Sequence, residues 1–166
     1  MKKYIWKFAG YLKHGDYTAD NRPTIDEVMV DISKMMAKRS SCPKRQVGVV
    51  ITKGGRVISS GYVGAPAGMP HCIDEGVGCL LDADHKCIRT VHAEQNAIAV
   101  AAKNGISTEG GTLYSTVQPC FLCAKSIVAA GIRRVVFVEE YRKENPGSID
   151  LFSNAGVEVL HWNATK

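Results

Sequence analysis

No stretch of this 166-residue chain stays apolar for long enough to span a bilayer, so a helical membrane protein is not expected. The opening segment MKKYIWKFAGYLKHG starts with two lysines, as a secretory leader does. Lys7 and Lys13 then interrupt the apolar run, and no leader core forms. Internal repeats, low-complexity tracts and linkers are absent, and the length is too short for two cores. The chain therefore reads as one domain over residues 1–166, with an N-terminal arm at 1–23. A basic stripe with interleaved aromatics is also missing, which argues against a nucleic-acid partner. The net charge of +5 is modest and suits a small phosphorylated ligand. With 45% hydrophobic and 22% charged residues, the composition is that of an ordinary soluble globular protein. A cytoplasmic location is expected.

Cysteine, by contrast, is plentiful and clustered. Six are present, and in a reducing compartment clustered cysteines more often bind metal or do chemistry than form disulfides. Three of them fall with two histidines in HCIDEGVGCLLDADHKC, residues 71–87. Two more, Cys120 and Cys123, lie in TVQPCFLCAKSI, downstream of VHAEQNAI.

Helical and strand-like segments alternate along the chain. TIDEVMVDISKMMAKRS has Thr24 and Glu27 in capping-box spacing, followed by Val28, Ile32, Met35 and Met36 at helical intervals, with the methionines expected as core filler. QVGVVIT and RVISSGY flank a Lys-Gly-Gly turn and predict a β-hairpin. HAEQNAIAVAAKNG predicts a helix closed by Gly105, and TLYSTV a strand. PCFLCAKSIVAAG predicts a helix with Pro119 in its first turn and Gly131 past its end. RRVVFVEE, SIDLFSNAG and VEVLHW complete the pattern as strand, short helix and strand. Five strands and four helices predict an α/β fold, a layered sheet. Residues 63–91 show no regular pattern, and so long a connection inside a compact domain needs a function or a tether.

Cys120 and Cys123, three apart at a helix start, project towards one point, where the helix dipole favours thiolates. His92 and Glu94 are two apart and would face different sides of a regular helix. They share a site only if His92 stands at the helix entrance. His92, Cys120 and Cys123 then leave one coordination position for water, which is the pattern of a catalytic zinc. Glu94, off the metal, is free to carry protons. His-x-Glu followed by Pro-Cys-x-x-Cys is the signature of zinc-dependent nucleobase deaminases.

KCIRTVHAEQNAI, GYVGAPAG, the His71–Cys72 pair, LYSTVQPCFLCAKSIVAAGI and NAGVEV together closely resemble the deoxycytidylate (dCMP) deaminase family of bacteria and their phages. The likeness runs over about residues 24 to 162. It implies the cytidine-deaminase fold: a five-stranded mixed sheet, with a β1-β2 hairpin and then alternating helices and strands, sandwiched between helices. It implies conversion of dCMP and water to dUMP and ammonia, with zinc on His92, Cys120 and Cys123 and Glu94 as the proton shuttle. It further implies a second, structural zinc that pins residues 63–91, expected on Cys42, Cys72, Cys79 and Cys87, with His71 or His85 as substitutes. Gly61, Tyr62, Val63 and Gly64 match a loop that in relatives serves an allosteric site for dCTP (activating) and dTTP (inhibiting) with magnesium, in a homo-hexamer. Val63 stands where the family usually has asparagine, so a hydrogen bond to the sugar is not available from that side chain. Asn96, whose amide both donates and accepts, is a candidate reader of the effector base. Arg89, Lys125 and Arg142, placed beside the motifs, are candidates for the substrate phosphate. Two other readings share some of these features: a tRNA adenosine or free cytidine deaminase, and a non-catalytic zinc module. The cysteine-rich loop opposes the first. Glu94, an unliganded carboxylate beside the metal, opposes the second.

Overall fold

The computed structural model describes residues 22–141 and 147–163. Helix α1 (Ile25–Ala37) is followed by strands β1 (Gly48–Lys53) and β2 (Arg56–Tyr62). Then come helix α2 (Ala93–Lys103), strand β3 (Thr112–Val117), helix α3 (Phe121–Ala129), strand β4 (Arg134–Glu139), helix α4 (Gly147–Asn154) and strand β5 (Glu158–His161). The sheet order is β2-β1-β3-β4-β5. β1 pairs antiparallel with both β2 and β3, whereas β3-β4 and β4-β5 are parallel. The five-stranded mixed sheet and its hairpin are those expected from the sequence.

Strand alternation distributes the core over two layers. Val49, Ile51, Leu113 and Val135 face one side and pack with Ala93 and Ala97 of α2, Ile127 of α3 and Phe152 of α4. Val50, Tyr114 and Val136 face the other, against Met29 and Val30 of α1. Because both faces are covered, β1 reads as a continuous apolar run, GVVI.

Thr24 caps α1 with the capping box that its spacing with Glu27 predicted. Of the two methionines assigned to the core, Met36 packs against it, but Met35 is 60% exposed because it points to the opposite side of the helix. Helix α3 begins two residues later than predicted. Cys120 is its N-cap, so Pro119 precedes the helix instead of opening it, and a prolyl ring there fixes the approach of the chain.

Two contacts set where the site will lie. A Cβ on Gly61 would collide with the Ala93 carbonyl and the Ala97 amide, so β2 lets the first turn of α2 lie directly on it. Ser59 Oγ then donates to the Ala97 carbonyl at 2.6 Å, and Asn96 Nδ2 to the Tyr62 carbonyl at 3.1 Å. The N-terminus of α2 is thereby held in place.

On the opposite face, Arg134 joins α1 to the sheet. Its guanidinium makes two 2.8 Å hydrogen bonds to the Asp26 carboxylate, which also accepts from Tyr114 Oη at 2.6 Å. The bond to Arg134 holds the Asp26 pKa below its ordinary value. A depressed carboxylate stabilises the fold above its unfolded pKa of about 3.9, and that contribution is lost as pH falls through the folded value below it. We expect Asp26→Asn to cost about 2 kcal/mol at pH 7. In urea titrations that difference should shrink as pH drops below about 4. An equal difference at pH 7 and pH 3 would exclude the ion pair as its source.

Candidate active site

Two ligand-bearing segments, the starts of α2 and α3, converge at one end of the sheet. His92 is the N-cap of α2, with extended backbone (ψ 150°), and its side chain makes no capping bond. Cys120 is the N-cap of α3, likewise without a side-chain cap, and Cys123 stands in the first turn. Both N-cap side chains are thus released towards each other. His92 Nδ1 lies 3.5 Å from Cys120 Sγ and 3.3 Å from Cys123 Sγ. All three donor atoms fall within 4.8 Å of one another.

The two-residue spacing of His92 and Glu94 is resolved by the helix boundary. His92 stays outside the helix and Glu94 sits within the first turn, so the two are not bound to helical angles. Glu94 is 5% exposed. Burial raises its pKa. The Cys120 thiol is held down to about 4 by the hydrogen bond from Cys123, with a further contribution from His92. Cys123, as the donor in that pair, is pushed up. His92 is raised by its bond to Cys120, and burial works against that rise.

This donor set fits zinc. Tetrahedral bonds of about 2.3 Å to sulfur and 2.0–2.1 Å to nitrogen place S and N about 3.5 Å apart. Both observed S···N separations lie within about 0.2 Å of that value.

A second cluster occupies residues 63–91. Sγ atoms of Cys72, Cys79 and Cys87 lie within 4.8 Å of one another, and Cys72 and Cys87 are 3.7 Å apart. That separation is close to the roughly 3.8 Å edge of a tetrahedral thiolate site. The segment carries only isolated bridges, Gly64 with Val91 and Leu81 with Cys87, so the sulfurs sit around a small turn and not on regular elements. Cys72 is raised to about 12 by burial. Burial also works against ionisation of Cys87, but hydrogen bonds from the Arg89 backbone and Cys72 bring it down to about 7.

The other expected ligands do not join this group. Cys42 is buried in the apolar core with Val47 and Val63, where its thiol serves as a small hydrophobe. His71 Nδ1 is engaged with Ser41 Oγ at 2.8 Å. His85 is exposed at a turn in the left-handed region (φ 58°), outside the sulfur cluster.

The remaining candidates divide. Arg89 carries a buried Nε without a hydrogen-bond partner among the described residues, between the two clusters in sequence. Lys125 does not face the metal donors. Two helix positions past Cys123 turn it to the other side of α3, where its Nζ lies 5.5 Å from the Phe121 ring centroid in a groove against α4. Arg142 lies outside the described residues. In the GYVG stretch, Gly61 is covered by α2 and the Val63 side chain is in the core, while Tyr62 stays partly exposed. The Asn96 amide donates to the Tyr62 carbonyl and so fastens α2 to β2.

Sequence reasoning missed Arg45, Gln118 and Tyr141. Gln118, two residues before Cys120, is buried and accepts from the Tyr141 amide at 3.3 Å while donating to Ser148 Oγ at 2.9 Å. The Arg45 guanidinium stacks 4.7 Å from the Tyr141 ring centroid. Strand register could have found this group, because the residues just beyond β1, β3 and β4 meet at one level.

The family model of the cytidine and deoxycytidylate deaminase zinc-binding region matches residues 23–139. The chain belongs to this family. Among its relatives, ComE operon protein 2 of Bacillus subtilis is 47% identical over 127 residues. The match takes in 76% of this chain and 65% of that protein. The deoxycytidylate deaminase of Enterobacteria phage T4 is 37% identical over 168 residues, covering 80% of this chain and 87% of the phage protein. In three dimensions, dCMP deaminase of cyanophage S-TIM5, solved in complex with dCMP and dUMP, superposes with a TM-score of 0.73 at 32% identity. That likeness covers 85% of this chain and 98% of the cyanophage one. The family's zinc binding agrees with the donor set on His92, Cys120 and Cys123.

Proposed function

We propose that the chain is a zinc-dependent deaminase that hydrolyses dCMP to dUMP and ammonia. The observation that carries this reading is a buried carboxyl, Glu94, beside a His-Cys-Cys donor set in a chain that matches a dCMP-bound cyanophage enzyme over nearly its whole length. Zinc on His92, Cys120 and Cys123 would supply Lewis acidity and make a water-derived nucleophile available near neutral pH. Glu94 takes the proton from the attacking water and passes it to N3 of the cytosine ring. The water oxygen bonds to C4. The same carboxyl then takes the second proton from the new C4 hydroxyl and delivers it to N4, so the C4–N4 bond breaks, ammonia leaves and C4 becomes a carbonyl. Burial raises the Glu94 pKa, which suits a group that must both accept and return a proton. The Gly61–Ala93 packing and the Asn96–Tyr62 bond keep that carboxyl in place.

Cys72, Cys79 and Cys87 would hold a second zinc that pins residues 63–91, a role in stability and not in the reaction. Arg89, with an unpartnered buried donor, is a group for the substrate phosphate. A homo-hexamer regulated by dCTP and dTTP with magnesium is the corresponding reading of the GYVG stretch, in an enzyme expected to be cytoplasmic. Among the described residues no helix is long and apolar enough to cross a membrane.

Ammonia release from dCMP, CMP, deoxycytidine and adenosine, measured side by side, tests the assignment. We expect dCMP to be preferred over deoxycytidine by at least about 30-fold in kcat/KM, the value of one or two charge-assisted bonds to phosphate. Equal activity on deoxycytidine would make this a nucleoside enzyme. The same assay with effectors tests regulation. Sigmoidal dCMP curves should be sharpened by magnesium-dTTP and made hyperbolic by magnesium-dCTP, since an effector shifts a two-state enzyme only by its differential affinity. Hyperbolic curves untouched by either nucleotide would reject it.

A further inference from the structure

Arg45 lies just before β1 and looks in the sequence like an ordinary surface charge. The register of the sheet says otherwise. β1 runs antiparallel to β3 with Val49 opposite Ser115, and continuing that pairing brings Arg45 level with Pro119. β3 runs parallel to β4 with Val117 opposite Glu139, and the same step brings Tyr141 level with Pro119 as well. Arg45, Pro119 and Tyr141 therefore stand in one row across the end of the sheet, immediately beside Cys120. In an open α/β sheet, the crevice outside the carboxyl ends of the strands is where ligands bind.

Each member of the row is fixed. Ser40 Oγ donates to the Arg45 carbonyl at 3.0 Å and is also bonded to the Val63 carbonyl at 3.0 Å, which sets the turn that leads into β1. Gln118 accepts from the Tyr141 amide. The Tyr141 ring supports the guanidinium from one face at 4.7 Å, leaving the edge of the fork open. No carboxylate among the described residues forms an ion pair with Arg45. A positioned, carboxylate-free guanidinium beside a nucleotide site has one evident partner, an anionic oxygen of the ligand.

We propose that Arg45, held by stacking on Tyr141, is a specificity-determining residue that binds the phosphate of the nucleotide substrate. The inference rests on the dCMP reading above. It adds Arg45 to Arg89 as a group for the phosphate, in place of Lys125, whose charge faces the α3–α4 groove.

The test is the ratio of kcat/KM for dCMP to that for deoxycytidine, measured on zinc-replete protein. Arg45→Gln should lower this ratio about 30-fold, mostly through KM for dCMP. Arg45→Lys keeps the charge but not the stacked fork, and should lower it about 5-fold. Tyr141→Leu should fall between wild type and Arg45→Gln. A structural role alone would reduce activity on both substrates and leave the ratio in place. If Arg45→Gln does not fold, Arg45→Lys gives the same reading. A ratio within about 2-fold of wild type in the folded variant overturns the proposal. The wild-type ratio separates the two claims. A wild-type enzyme indifferent to phosphate refutes the dCMP reading, whereas a strong wild-type preference that survives in the variants refutes Arg45 alone.

Discussion

Glu94→Gln is expected to lower turnover of dCMP by about 10² or more while zinc stays bound. Glutamine keeps the shape of the side chain and its place under the first turn of α2, but it can neither take the proton from water nor return it to the departing nitrogen. The residue is not one of the His92–Cys120–Cys123 donors, so the metal content should not change. Burial reinforces the contrast. A carboxyl that is 5% exposed cannot be replaced by bulk water as the proton carrier, because solvent does not reach that position freely. Near-normal activity of a zinc-replete Glu94→Gln enzyme would show that the proton route lies elsewhere.

The second large effect concerns metal. Freshly purified, unchelated protein should contain close to two zinc ions per chain. Cys120→Ala should lose one of them together with most activity, because Cys120 is one of only three protein donors and lies within 3.5 Å of His92 Nδ1. Cys79→Ala should lose the other and chiefly lower thermal stability. The 63–91 stretch has few backbone pairings of its own, and the sulfur cluster is its main tether. Structural zinc contributes folding free energy directly, so a shift of several degrees in Tm is expected for Cys79→Ala. A stoichiometry of one zinc per chain would refute the second site, and loss of both ions in Cys79→Ala would show that the clusters are not independent.

How much of this was legible in the sequence depends on the range of the interaction involved. The continuous apolar run of β1, the Thr24–Glu27 box and the glycines that end α2 and α3 are local signals, and they placed the elements to within a residue or two. Pro119 shows the limit. A proline at a helix start fits the first turn or the residue before the cap equally well, and Cys120 took the cap.

The donor triad was readable because its members sit at helix entrances, where side-chain direction follows from the boundary. Cys42 was misassigned because a buried thiol and a ligand thiol have the same letter. What distinguishes them is packing against Val47 and Val63. Lys125 could have been set aside by helix geometry alone, since two residues past Cys123 is the wrong side. Arg45 and Tyr141 are 96 positions apart, and only the strand register brings them together.

Incorporation of solvent oxygen tests the central claim most directly. Zinc-replete enzyme incubated with dCMP in water enriched in ¹⁸O should yield dUMP carrying one heavy oxygen at C4, with one ammonia released per dUMP formed. Formation of free cytosine, release of ammonia without labelled dUMP, or no reaction with dCMP under conditions where deoxycytidine or adenosine is consumed would contradict it.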